Sequence, residues 1–240
     1  MSRQSAPWLS VVVPVLDEAA GIADALDHLN ALRARTIVRG RAPIEVIVVD
    51  GGSRDTTPTL ARERADVVLT AARGRGRQLN AGAAGASGSV LLFLHADTVL
   101  PVDAFERIET ALSGKPAAHW GRFDVSIDGR SLMLPVIAAL MNLRSAWTGI
   151  ATGDQAMFVR RSSFDSVGGF PDQPLMEDIE LSTRLRRLPG GHPLRLRQTV
   201  TTSGRRWESR GVWTTIWLMW RLRWRYWRGA SADEIAKAYR

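Results

Sequence analysis

The chain has 240 residues, no cysteine and a formal net charge of +8. That length suits one large domain, and the lack of cysteine excludes disulfides and thiol-based catalysis or metal binding. Positions 205–228 hold seven arginines and one acid, six of the eight net charges, together with six of the nine tryptophans. The basicity is therefore local, and nucleic-acid binding does not follow from it. Positions 1–8 lack the apolar core of a signal peptide. No uninterrupted apolar run reaches the roughly 18 residues that a membrane-spanning helix needs. These features predict a cytoplasmic protein.

Residues 9–13 are β-branched and apolar, the pattern of a buried parallel strand. Asp17 and Glu18 follow, and then Ile22, Leu26 and Leu29 recur at helical spacing. Residues 43–49 predict a second strand, closed by the turn Asp50-Gly51-Gly52-Ser53. A helix is expected over 56–65, with Pro58 tolerated in its first turn. A short strand at 67–69 leads to a basic, glycine-containing loop at 73–77 and a small-residue helix at 78–86. Residues 90–94 form a further buried strand, stopped by His95-Ala96-Asp97-Thr98. Strands alternating with helices indicate an α/β fold with an open, mostly parallel sheet. Ligands in such sheets bind beyond the carboxyl ends of the strands, where Asp50 and Asp97 lie.

The second half predicts a strand at 121–127, an apolar helix at 132–143 and a strand at 155–159. A turn at 168–169, a helix over 178–187 and a strand at 194–200 follow. There is no internal repeat or low-complexity linker, so the simplest division is one domain, 1–204, with an extension, 205–240.

Several residues admit both a chemical and a plain structural reading. Asp97 ends a strand and suits Mg²⁺ or Mn²⁺ bridging a diphosphate, or a simple turn. In an extended chain, His95 projects to the same side as Asp97. It is a metal ligand, a ribose contact or a strand-end cap. Asp50 precedes two glycines that permit close approach to a ligand, or it closes a tight turn whose Ser53 or Asp55 caps the next helix. Arg73, Arg75 and Arg77 suit phosphate contacts or a solvated loop, and Gln78 and Asn80 add hydrogen-bonding groups. Glu177 and Asp178 open a helix, where acids favour the macrodipole, or one of them is a general base. Gly153-Asp154-Gln155 forms an acceptor-side wall or a turn into a strand.

Together these motifs resemble a family-2 glycosyltransferase with the GT-A fold, over roughly residues 8–207. Val49-Asp50-Gly51-Gly52-Ser53 is similar to that family's nucleotide-base motif, and His95-Ala96-Asp97 sits where its metal-binding DxD belongs. Glu177-Asp178 matches the catalytic carboxylate motif. Leu94-His95-Ala96-Asp97-Thr98, Gly153-Asp154-Gln155 and Met176-Glu177-Asp178-Ile179-Glu180-Leu181 resemble, more narrowly, the subgroup labelled arsenosugar-biosynthesis glycosyltransferases. The resemblance implies that Asp50 contacts the nucleotide base, with Pro14 and Glu18 lining the same pocket. Arg77 or Arg73 would reach the diphosphate, Asp97 would hold a divalent metal, and Asp178 would be the base. The chain departs from the family in having His95 at the first DxD position, which brings no charge and puts metal affinity and choice in question. Arg205-Arg206-Trp207 is similar to the Arg-Trp end of a motif in processive members, but the rest of that motif is missing. The implied reaction is an inverting, metal-assisted transfer from a nucleoside-diphosphate sugar to a lipid or small-molecule acceptor.

Trp213, Trp217, Trp220, Trp224 and Trp227 are spaced 4, 3, 4 and 3 apart, one narrow stripe on a helix. Arg221, Arg225 and Arg228 flank it on one side and Arg223 on the other, while Leu218, Leu222 and Tyr226 lie opposite. Such a helix docks one face on the domain and lays the other on an anionic membrane surface. The alternatives are burial on both sides or a homodimer seam. Two other functions compete with the transferase. A non-catalytic nucleotide-sugar or membrane-binding module is kept open by His95. A sugar-phosphate nucleotidyltransferase would open on a basic, glycine-rich loop, which residues 11–18 lack.

Overall fold

The structure is a computed structural model and describes residues 6–239. Side chains at 206, 209, 210, 212 and 239 lie outside that description, including the Arg206 of the Arg-Trp resemblance.

An eight-stranded sheet has the order β3-β2-β1-β4-β7-β6-β8-β5. Strands β1 (Leu9–Val15), β2 (Ile44–Asp50), β3 (Val67–Thr70) and β4 (Val90–Phe93) are mutually parallel, as expected. Their runs are apolar without alternation because both sheet faces are covered. Successive residues sort to opposite faces. Val11, Val13, Val46, Val48 and Leu92 pack with Ile22, Leu26 and Leu29 of helix α1 (Ile22–Val38). Val12, Ile47, Val49, Leu91 and Phe93 pack on the other side with Leu79 of α3 (Arg75–Gly85) and with Phe164 and Phe170. The helix expected at 56–65 is the shorter α2 (Thr57–Arg62). Helix α3 starts before 78, so Arg75 and Arg77 belong to its first turn and not to a loop.

The remaining strands make the sheet mixed. Strand β5 is Thr98–Val99, β6 is Trp120–Asp128, β7 is Met157–Arg160 and β8 is Leu194–Ser203. Strand β7 runs antiparallel to both β4 and β6, with Met157 opposite Phe93. The segment entering β7 therefore lies above the carboxyl end of β4. This segment is a 3-10 turn, Gly153–Gln155, where a strand from 155 was expected. Helix α4 (Ala104–Gly114), overlooked in the sequence, covers the α1 face through Phe105 and Ile108. Helix α5 (Leu134–Thr148) starts later and runs further than 132–143, with Pro135 in its first turn. It is fastened to β6 by Asn142, whose side chain bonds both the N–H and the carbonyl of Val125. A short α6 (Arg161–Ser166) precedes the glycine turn, and α7 spans Glu177–Arg186. Fully buried Arg122 pairs with Asp124, which also takes Arg195 at 2.8 Å across to β8.

Three helices follow β8: α8 (Arg205–Arg210), α9 (Val212–Trp227) and α10 (Ala232–Tyr239). Leu218, Leu222 and Tyr226 of α9 pack with Ile235 of α10 and with Leu175, Met176 and Ile179. The five tryptophans of the stripe turn the other way, 57–81% exposed. No helix among the described residues is long and apolar enough to cross a membrane.

Candidate active site

The carboxyl ends of β1, β2 and β4 gather the predicted residues. The loops after β1 and β2 are laced together: the Asp17 N–H donates to Ser53 Oγ at 2.9 Å, and the Arg54 N–H to Asp17 Oδ1 at 2.8 Å. The Glu18 N–H donates to Thr57 Oγ1 at 2.8 Å. Asp50 is buried and holds its own turn, accepting from the N–H groups of Gly52 and Ser53 and, at 2.5 Å, from Ser53 Oγ. Pro14 is half-buried at the end of β1. The hydrogen bonds of Gln78 go to the protein itself: its buried amide donates to the carbonyls of Val15 and Val49 at 2.8 and 2.9 Å, pinning the two strand ends. Gly51 lies against it, and a Cβ there would come within 2.9 Å of Gln78 Cδ. Asn80 likewise bonds the backbone of Phe170.

The segment after β4 is a turn, closed by the Thr98 N–H on the His95 carbonyl, not the extended chain expected. The consequence is that His95 and Asp97 do different things. His95 places Nδ1 3.3 Å from Asp154 Oδ1 and lies against Gly153, where an added Cβ would meet Nε2 at 2.5 Å. Glycine is needed there for space. The half-buried Asp97 carboxylate has no hydrogen bond or ion pair among the described residues. It acts electrostatically on Glu18, whose pKa is raised, by burial first and then by Asp97 and other nearby acids against the opposing pull of Arg205. Arg205 approaches Glu18 at 3.8 Å. Among the described residues no three acidic or histidine side chains form a ready-made cage. One open carboxylate beside a second fits a metal that takes its other ligands from substrate phosphates.

The two carboxylates that open α7 differ. Glu177 is 2% exposed and pairs with Arg75 at 3.2 Å. Burial, then the neighbouring Asp178 charge, push its pKa up against the pull of Arg75. Asp178 is half-buried; its Oδ2 accepts from the Gly153 N–H at 2.8 Å and its Oδ1 from the Ile179 N–H at 2.7 Å. A cavity of 10 Å³, about one water, lies between Arg75, Phe93, His95, Gly153, Glu177 and Asp178. Gln155, fully buried, reaches Asn142 of α5. Arg73 is exposed, and Arg77 is held in a two-point pair with Asp172 at 2.6 and 3.0 Å.

One residue is not singled out by the sequence, and another only as one of three. Arg75 was one of three loop arginines, and only the helix start singles it out. Arg144 of α5 buries Nε and Nη2 without a hydrogen-bond partner. Burial lowers its pKa, opposed most by the charge of Asp178. No periodicity marked it. The three non-glycine residues with positive φ among those described are Asp17, Ala156 and Met176, beside Glu18, the 3-10 turn and Glu177. Each costs on the order of 1–3 kcal/mol, and such strain collects at functional sites.

The model of the family Glycosyl transferase family 2 matches residues 10–168. A probable glycosyltransferase, YdaM, of Bacillus subtilis is 28% identical over 93% of this chain, which spans 55% of that relative. The Pyrobaculum calidifontis mannosyltransferase PcManGT, solved with GDP-Man and Mn²⁺, superposes with a TM-score of 0.60 at 22% identity over 90% of this chain and 60% of its own. S. aureus TarS 1–349 with UDP-GlcNAc gives 0.62 at 18% identity over 81% of this chain and 58% of its own. These two likenesses bear on the fold, a mostly parallel sheet between helices in the GT-A arrangement. The family model covers β1 from its second residue through β7, the Asp50 turn, the His95–Asp97 segment and Gly153–Gln155, and stops before α7 and β8; at about two thirds of the chain it shows that the chain belongs to glycosyltransferase family 2.

Proposed function

We propose that the protein transfers a sugar from a nucleoside-diphosphate donor to an acceptor hydroxyl, with inversion, using Asp178 as the base. The observation that carries this is the Asp178 carboxylate held on the Gly153 N–H at 2.8 Å, where Gly153 lies against His95, two residues before the half-buried carboxylate of Asp97. The nucleoside lies over the loops of Pro14, Glu18 and Asp50. Asp50 shapes that pocket through its turn and meets the base at its rim. A divalent metal, Mg²⁺ or Mn²⁺, would be held by Asp97 and would neutralise charge on the departing diphosphate. Arg75 supplies the cationic role that the resemblance assigns to Arg77 or Arg73, because Arg75 lines the cavity, paired there with Glu177, while Arg77 pairs with the exposed Asp172. Asp178 accepts the acceptor proton; the acceptor oxygen bonds to the anomeric carbon as the bond to the diphosphate oxygen breaks. Gly153, Asp154 and Gln155 form the acceptor side. Residues 205–240 are an extension whose α9 stripe meets anionic membrane. The narrower arsenosugar resemblance gains no support from the relatives named above.

Calorimetry with a panel of nucleoside diphosphates, with and without Mn²⁺, tests the reading. One nucleotide is expected to bind in a metal-dependent way and to lose that dependence in Asp97→Ala. Failure of every nucleotide to bind would overturn the transferase and favour a non-catalytic module.

A further inference from the structure

Fourteen large hydrophobic side chains are exposed among the described residues, and they are not scattered. Nine belong to α5 and α9, and Leu132 just precedes α5. On α5, Val136, Leu140, Leu143 and Trp147 are 47–87% exposed and spaced 4, 3 and 4 apart, the spacing of the tryptophan stripe. Its other face, Leu134, Ile137 and Ala138, is buried with Ile127 and packs against Trp207 of α8 and Ile216 of α9. The two helices therefore meet where Ile216, in the second turn of α9, joins the buried face of α5, and each leaves an apolar face in water. Patches of this extent mark interaction sites.

Charge selects the occupant. Neither helix contains an Asp or Glu, and α9 carries Arg221, Arg223 and Arg225, with Arg228 at its cap. The Arg221 guanidinium lies 5.2 Å from the ring centre of Trp217, and that of Arg228 lies 5.0 Å from Trp224. Cations folded back on indole rings keep their charge at the depth of the aromatic faces, as a phosphate-bearing headgroup layer requires. A second protein subunit would bury these arginines against another copy with the same charge.

We infer that α5 is a second membrane-facing helix, acting with α9 as a two-helix seat on an anionic bilayer. This rests on the membrane contact proposed above for α9 and extends it to a face next to the site. Asn142 of α5 bonds Gln155, and the chain leaving α5 reaches Gly153, the N–H partner of Asp178, within a few residues. The seat thus lies against the acceptor side.

The test is flotation of the full chain with vesicles of phosphatidylcholine alone and with 30% phosphatidylglycerol (about a third anionic lipid, enough to set a surface potential). Wild type is compared with an α5 variant, Leu140→Ser/Leu143→Ser/Trp147→Ser, and an α9 variant, Trp217→Ser/Trp220→Ser/Trp224→Ser. All six side chains are exposed, so the cores stay intact. Wild type is expected to float with anionic vesicles, and each variant to lose about tenfold in partitioning. An α5 variant that floats like wild type while the α9 variant does not would overturn the inference and leave α9 standing. Wild type staying with the soluble fraction, or sedimenting as a dimer that either variant dissolves, would overturn both. The nucleotide binding measured by calorimetry is a separate readout, so failure of the membrane seat and failure of the transferase reading are told apart.

Discussion

Asp178 and Glu177 are neighbours in sequence, and replacing each by its amide separates their roles. In Asp178→Asn one oxygen is lost. The N–H groups of Gly153 and Ile179 now share a single carbonyl acceptor, and one of them faces an amide NH₂. A buried donor left without a partner costs about 1–3 kcal/mol. For a domain of this size that lowers the melting temperature by roughly 2–4 °C per kcal/mol. Loss of a general base costs about 10²–10⁴ in turnover. At about 1.4 kcal/mol per decade, that is about 3–5 kcal/mol of barrier. The kinetic loss therefore exceeds the structural one, and nucleotide binding stays. Glu177→Gln is the contrast: the side chain is 2% exposed and already engaged by Arg75, and an uncharged acceptor still serves Arg75. Its turnover is expected to fall less than tenfold. The assay is turnover with the nucleotide found by calorimetry, beside a thermal melt of each variant. Turnover within threefold of wild type in Asp178→Asn, with a collapse in Glu177→Gln, would refute the assignment and make Glu177 the base.

Three further predictions follow from the geometry. Burial raises the pKa of Glu177 above its ordinary 4.5, so the native state holds a proton that the unfolded chain has released. Stability from this group is complete below pH 4.5 and lost as pH rises through the raised value; melts across that window should show the loss in wild type and not in Glu177→Gln. Gly153→Ala puts a Cβ within 2.5 Å of His95 Nε2, so the ring must move off Asp154; turnover should drop at least tenfold, and an unchanged histidine NMR shift would contradict the contact. Asp124→Asn leaves the buried Arg122 without its counter-charge; denaturant unfolding should show about 3–5 kcal/mol of lost stability, while the same loss in a surface pair such as Arg107–Asp103 should stay under about 1 kcal/mol.

The sequence alone determined the order of the parallel half and the places where chemistry gathers. Apolar runs such as Val46-Ile47-Val48-Val49 need cover on both faces, and only a sheet between helices supplies it. It also determined the tryptophan face, because a 4, 3, 4, 3 spacing has one geometric reading on a helix. What each predicted residue touches was decided by tertiary structure. His95 and Asp97 part company because a turn replaces the extended chain, and Gln78 serves strand ends because β1 and β2 finish within its reach. Arg77 and Arg75 are held by carboxylates far along the chain, Asp172 and Glu177, and only the second of these pairs lies at the cavity. The strand β7, antiparallel to β4, brings Gly153 over His95 and under Asp178. Periodicity reports which face of an element is buried. It carries no information about which distant residue arrives there, and that arrival sets the hydrogen bonds, the burial of Glu177 and the two buried Arg144 nitrogens without a hydrogen bond.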